Sequence, residues 1–223
     1  MFSNTMSRTA GQINEAMARV FAHMGGAVAV SMVVSAFVGS NPDLLAFFFT
    51  GIMQWIVIFA PLAAILVVSF AFDNFSKLGL TAFLYAFAAL TGLSFSTIFA
   101  VYELGSIASA FMGAAVLFAV MAFYGYFTKT NLDNLGAYLF VGLIAIIIAS
   151  VINIFVGSTV FQMVISAVAI IVFLGLTAYD VQKIRELVTY ENDGRGEIMG
   201  ALSLYLDFIN LFLSLLQLLG EKK

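Results

Sequence analysis

The 223-residue chain reads as an all-α integral membrane protein with seven transmembrane helices, and three observations lead there. Hydrophobic residues make up 63% of the chain and charged residues 9%, where an average soluble domain carries roughly 25% charged residues. Nine basic and twelve acidic side chains are too few to solvate a globule of this size, so a soluble enzyme is excluded. Seven apolar runs each reach the length of about 20 residues that a helix needs to cross about 30 Å of hydrocarbon. The runs are continuous rather than alternating, which excludes a β-barrel.

The expected spans lie near residues 20–39, 48–72, 79–101, 107–127, 136–157, 160–182 and 198–219. Polar punctuation separates them: Ser40 to Asp43, Asp73 to Lys77, Tyr102 to Ser106, Thr128 to Asn134, Gly157 to Thr159, and a long polar loop from Lys183 to Glu197. The second span is overlong, and a tilt or a kink near Pro61 is expected. The organisation is a polar cytoplasmic segment over 1–19, one seven-helix domain over 20–219 and a short tail over 220–223. Residues 1–19 lack the small-residue cleavage site of a signal peptide, so the first span reads as a retained anchor.

Lysine and arginine placement sets the expected orientation. With the N-terminus cytoplasmic, Arg8, Arg19, Lys77, Lys129, Lys183, Arg185 and Arg195 fall inside, and only Lys222 and Lys223 fall outside. The C-terminus is then external, unless the last helix is re-entrant and returns its two lysines. Short retained spans fit a bacterial inner membrane. The net charge of −3 and the lack of a basic block argue against a nucleic-acid partner. There is no cysteine and one histidine, so thiolate chemistry and multi-histidine metal centres are excluded. No cofactor is expected, and the chemistry left is that of carboxylates, hydroxyls, amides and backbone.

An ionisable residue inside a span costs several kcal/mol and marks a functional candidate. His23, Asp180 and Asp207 qualify. Asp207 lies about 13 Å along the last span from its expected inner end. If the sixth helix continues through Gln182 to Val188, Asp180 reaches a comparable depth, and antiparallel packing sets the two carboxylates face to face. Ser203, Asp207, Asn210, Ser214 and Gln217 share one face of the last helix. A face polar from end to end must point into protein or water. A hydrogen-bonded seam between helices is the plain reading for the serines and glutamine, while the aspartate favours a polar path. The weaker stripes His23, Ser31, Ser35 and Thr91, Ser94, Thr97 read as packing contacts. His23 is a lesser candidate for proton sensing, and Glu103 reads as a solvated or interfacial charge.

Two facing carboxyls cannot both ionise cheaply, so the pair shares a proton and titrates as a unit. A divalent cation can replace that proton, and Ca²⁺ takes carboxylate oxygens at about 2.3–2.6 Å. With Asn210, Ser203 or water completing the shell, the expected binding is weak and transient, which conduction requires.

The run Gly175-Leu176-Thr177-Ala178-Tyr179-Asp180-Val181-Gln182-Lys183-Ile184 resembles the sixth-helix signature of the Bax inhibitor family. Ala201-Leu202-Ser203-Leu204-Tyr205-Leu206-Asp207-Phe208-Ile209-Asn210-Leu211-Phe212 resembles that family's last helix. Seven spans and a polar sixth loop agree along the whole chain. The resemblance implies a central seventh helix surrounded by the other six, and a pH-sensitive calcium leak governed by an aspartate pair. By motif that pair is Asp180 and Asp207. It also implies roles in membrane-protein quality control and cell-death pathways. One departure is that the second span holds no Arg or Lys, where some members carry a basic residue that neutralises the pair.

Competing readings differ in kind. An intramembrane aspartyl protease would suit Tyr179-Asp180, but Asp207 follows Tyr205-Leu206 rather than a glycine-containing motif, and the required proline loop is missing. A retinal protein needs a lysine in the last helix, which has none. A serine protease pairing His23 with Gly92-Leu93-Ser94 is a poor match. A non-enzymatic scaffold that binds a membrane protease or quality-control complex is the alternative to a leak. The expectation is a passive, proton-regulated calcium leak. Its partners are the bilayer, Ca²⁺ and protons. Asp180 and Asp207 sense protons and contact the ion, and Ser203, Asn210, Ser214 and Gln217 line the path.

Overall fold

The computed structural model describes residues 8–71, 74–191 and 193–223. Phe72 and Asp73, expected at the end of the second span and in its connector, lie outside the described residues. So do positions 1–7 of the N-terminal segment and Asn192 of the polar loop. Among the described residues the elements are α1 (Ala10–Gly39), α2 (Pro42–Phe48), α3 (Met53–Ala71), α4 (Lys77–Ser94), α5 (Ile98–Val101), α6 (Leu104–Phe127), α7 (Asp133–Val156), α8 (Thr159–Tyr190) and α9 (Arg195–Leu219). A tight 3-10 turn over Phe95–Thr97 joins α4 to α5. Seven helical segments are long and apolar enough to cross a membrane, with α4 and α5 together forming the third. Among the described residues no strand forms, and one isolated bridge pairs Tyr102 with Lys222.

Local chemistry moves several boundaries. Helix α1 begins ten residues before the expected span because Thr9 and Gln12 form a capping box, the Gln12 N–H donating to Thr9 Oγ1 and the Thr9 N–H to Gln12 Oε1. Ala16, Met17 and Val20 are buried along that stretch, so the packed stripe extends through the polar start. The second apolar run breaks at Gly51, whose φ of 59° lies in the left-handed region. Helix α3 therefore spans 19 residues and runs through Pro61, which corrects the expected overlong span. Helix α8 continues to Tyr190, because Val181, Ile184 and Val188 form a buried stripe through the charged stretch. The expected loop from Lys183 to Glu197 is thus helical up to Tyr190 and again from Arg195, where α9 opens.

Helix α9 packs against α1, α4, α6 and α8, while α3 rests on α4 and α7 on α8. Its side chains are the most buried of any span, and those of α7 the least. Phe70 and Phe155 are 88% and 86% exposed, and such apolar surface belongs against hydrocarbon rather than water. Two ends can be told apart. Arg8 donates its backbone N–H to Thr189 O at 2.9 Å, and Leu132 N–H reaches Gln182 Oε1 at 2.9 Å, so the N-terminal segment, the α6–α7 connector and the end of α8 lie together. At the opposite end, Lys223 N–H donates to Val101 O at 2.9 Å and Glu103 N–H to Glu221 O at 3.0 Å. The tail is therefore docked on the α5–α6 connector. The last helix runs from the end that holds Glu197 to the opposite end of the bundle.

Close helix contact depends on small residues at defined places. A Cβ at Gly125 would run into the backbone of Ala178 on α8. Gly125→Val is expected to cost about 1–3 kcal/mol through overpacking, read as a lower melting midpoint in detergent. Gly105→Ala, with no atom near its added Cβ, leaves the midpoint unchanged or slightly raised.

Candidate functional site

The polar face of α9 divides into two halves. In the half nearer Arg195, Ser203 Oγ donates to Asp180 Oδ2 across the α8–α9 contact. Asp207 sits one turn further along α9 and is 5% exposed. The extension of α8 to Tyr190 and of α9 to Arg195 puts the carboxyls about 15 Å and about 18 Å from their helix ends, comparable depths in antiparallel neighbours. Among the described residues Asp207 Oδ2 is buried without a hydrogen-bond partner, and a native buried acceptor in that condition calls for an explanation. Among the described residues neither aspartate forms an ion pair with Lys, Arg or His. The donors assembled here are two carboxyls and a hydroxyl, and no group of three or more His, Cys, Asp or Glu forms among the described residues.

In the half nearer Leu219, Asn210 Nδ2 donates to Leu206 O and Ser214 Oγ to Asn210 O, at 2.8 and 2.7 Å. Gln217 Oε1 accepts from Gln162 Nε2 at 2.7 Å and from Ser166 Oγ at 3.1 Å, and Gln162 Oε1 accepts from Asn153 Nδ2 at 3.0 Å. This chain of amides ties α7, α8 and α9 together. A cavity of about 420 Å³ lies beside it, lined by Asn210, Ser214 and Gln217 on one side and by Ser150, Gln162 and Ser166 on the other. Asp180, Ser203 and Asp207 do not line it, so the stripe borders this cavity only in the half nearer Leu219.

The remaining polar residues take their places around this stripe. His23 Nδ1 lies 3.2 Å from Tyr85 Oη, away from the aspartates. Ser31 Oγ donates to Ala88 O at 2.7 Å and lies 2.6 Å from the hydroxyl of the fully buried Tyr205. Thr91 Oγ1 and Ser94 Oγ donate to carbonyls of Phe87 and Val57, so these hydroxyls serve helix packing. Glu103 is exposed and stands at the start of α6 without capping it.

Sequence reasoning placed Glu197 in a loop. The structure places it in the first turn of α9, 2% exposed, with Arg8 at 3.1 Å, Arg19 at 2.8 Å and Lys77 at 3.5 Å. Three cations from the N-terminal segment, α1 and α4 thereby converge on one carboxylate. The available signal was a glutamate within the first turn of a helix, where the macrodipole favours an anion. Glu197→Gln leaves those cations without a counter-charge and is expected to cost about 3 kcal/mol, the lower part of the range for a broken buried pair. Arg19 and Lys77 are each 46% exposed and can turn toward water. Arg19→Gln is expected to cost about 1 kcal/mol, since Glu197 keeps Arg8 and Lys77. Thermal melts in one detergent rank the two variants, and equal midpoints would refute the cluster's structural role.

Comparison with known proteins agrees with this architecture. The family profile described as "Inhibitor of apoptosis-promoting Bax1" matches residues 13–223. The chain is 38% identical over 215 residues to the inner membrane protein YbhL of Escherichia coli, covering 93% of this chain and 92% of that one. It is 37% identical over 216 residues to a protein of Borreliella burgdorferi, covering 94% and 93%, and 33% identical over 218 residues to one of Deinococcus radiodurans, covering 96% and 94%. With a profile match over nearly its whole length and relatives aligned end to end, the chain belongs to the Bax inhibitor family of membrane proteins.

Proposed function

We propose that this protein is a passive, proton-regulated calcium leak, with Asp180 and Asp207 as both proton sensor and ion contact. The observation that carries the reading is the buried, unpartnered Oδ2 of Asp207, one helical turn from the Ser203 that bonds to Asp180. Neither carboxyl has a cationic partner among the described residues, so neutralisation must come from outside the protein. A shared proton does this in one state and a calcium ion in the other, competing for the same oxygens. Ser203 holds Asp180, and water completes the ion's shell.

In this reading the cavity beside Asn210, Ser214 and Gln217 is the outer vestibule, and the path continues along the α9 stripe to the dyad. Helix α9 acts as the hub of the bundle. The structure described is closed at the dyad, and opening requires α8 and α9 to part around Ser203. Full protonation disfavours the ion, so the leak falls as the medium is acidified. The basic end, with Glu197 and its cations, faces the cytoplasm by the excess of Lys and Arg. The N-terminus is then inside, the tail outside, and the membrane a bacterial inner membrane. The transporting part is a single seven-helix domain and does no catalysis.

Calcium flux into indicator-loaded liposomes carrying the purified protein, scanned from acid to mildly alkaline pH, tests this reading. The expected result is flux above empty liposomes that falls at acid pH, with the pH response flattened in Asp180→Asn and Asp207→Asn. No flux at any pH would overturn the leak and favour a scaffold that binds a membrane protease or quality-control complex.

A further inference from the structure

The same end of the bundle that carries Glu197 holds a second basic feature, on the far side of α1. A cavity of about 350 Å³ opens there among Ile13 of α1, Lys129 of the α6–α7 connector and Lys183, Arg185 and Glu186 of α8. Lys183 Nζ is paired with Asp133 at 2.6 Å and Glu186 at 3.0 Å. Arg185 is fixed in place, with its Nη1 donating to Tyr126 O at 2.8 Å and its guanidinium 4.9 Å from the centre of the Tyr126 ring. Lys129 is exposed, and among the described residues it has no ion-pair or hydrogen-bond partner. Three positive charges thus meet two negative ones at the cavity, and the surplus charge is carried by the free lysine.

Directly below, toward the middle of the bundle, a groove of about 480 Å³ runs between α1 and α6, lined by Met17, Phe21, Phe118, Ala119 and Phe123. The two openings adjoin. Ile13 lines one and Asn14 the other, and Thr128 and Phe127 divide in the same way. Tyr126 stands in the seam, its hydroxyl donating to Asn14 Oδ1. A basic recess above an apolar trough, at the level of an interfacial tyrosine, matches a molecule with a negatively charged head and a hydrocarbon tail. A soluble phosphate compound would use the recess and leave the trough empty.

We propose that this is a seat for one anionic phospholipid of the leaflet at the basic end, with its phosphate between Lys129 and Arg185 and an acyl chain along the α1–α6 groove. The ligand joins α1, α6 and α8, three of the helices that pack on α9, without touching the aspartates. The proposal is independent of any ion conduction.

The test is binding of a fluorescent short-chain phosphatidylglycerol to the purified full-length protein in a neutral detergent, with unlabelled phosphatidylglycerol, phosphatidylcholine and glycerol phosphate as competitors. Two exposed positions supply variants that leave the core alone, Lys129→Glu in the recess and Ala119→Trp in the groove, with unchanged melting midpoints as the folding control. Phosphatidylglycerol is expected to compete about tenfold better than phosphatidylcholine, and Lys129→Glu to lower its affinity by about tenfold, given the charge removed and the charge added. Ala119→Trp is expected to weaken both lipids. Equal competition by the two lipids would overturn the proposal, as would glycerol phosphate competing as well as phosphatidylglycerol, or binding that neither variant alters.

Discussion

Charge neutralisation inside a low-dielectric bundle is the constraint on which the rest of this structure turns. A single helix, α9, meets it in two opposite ways. At its first turn Glu197 is surrounded by Arg8, Arg19 and Lys77, drawn from three separate segments. Three turns later Asp207 is buried one turn from Ser203, which bonds to Asp180, and among the described residues its Oδ2 has no hydrogen-bond partner. The first carboxylate is neutralised by the protein and fastens helices together. The second has no such partner among the described residues, and the proposed function follows from that difference.

The two ends of the stripe extend the contrast. Toward the basic end the packing is tight, with Ser203 bonded to Asp180 and glycines such as Gly200 and Gly125 set directly against α8. Toward the opposite end, neutral amides on α7, α8 and α9 hold a cavity open without adding charge. Such amides can solvate an ion that still carries much of its water, and they bind it weakly. In the proposed function, a change in the charge of Asp180 and Asp207 would act on the α8–α9 contact, while the ion pairs at Glu197 tie the helices together at one end.

Much of this was legible in the sequence because the signals were local. Seven apolar runs specify seven spans, and a serine and an aspartate one turn apart on α9 lie where an antiparallel α8 brings Asp180. Boundaries were less legible where polar residues cover a buried stripe. The charges of Lys183, Arg185 and Glu186 suggested a loop, yet Val181, Ile184 and Val188 repeat at helical spacing beneath them and carry α8 to Tyr190. The same applies to Arg19 above Ala16, Met17 and Val20. The break at Gly51 is hidden in an unbroken apolar run, where only the positive φ shows why the helix stops. Glu197 was missed for a different reason: its three partners lie 120 to 189 residues away. Their convergence belongs to tertiary packing, which no short motif records. The amide chain through Asn153, Gln162 and Gln217 escaped notice similarly, since two of its members lie on helices whose polar residues are isolated in sequence.

The central claim is that the aspartate pair, lacking a protein cation, exchanges a proton for calcium. Infrared difference spectroscopy of the protein in bilayers, recorded on adding Ca²⁺, measures that exchange at the carboxyls themselves. The account expects a protonated-carboxyl C=O band that is lost as a carboxylate band grows, and the absence of this change in Asp207→Asn. A pair with no protonated-carboxyl band before calcium, or a band that calcium leaves untouched, would contradict it.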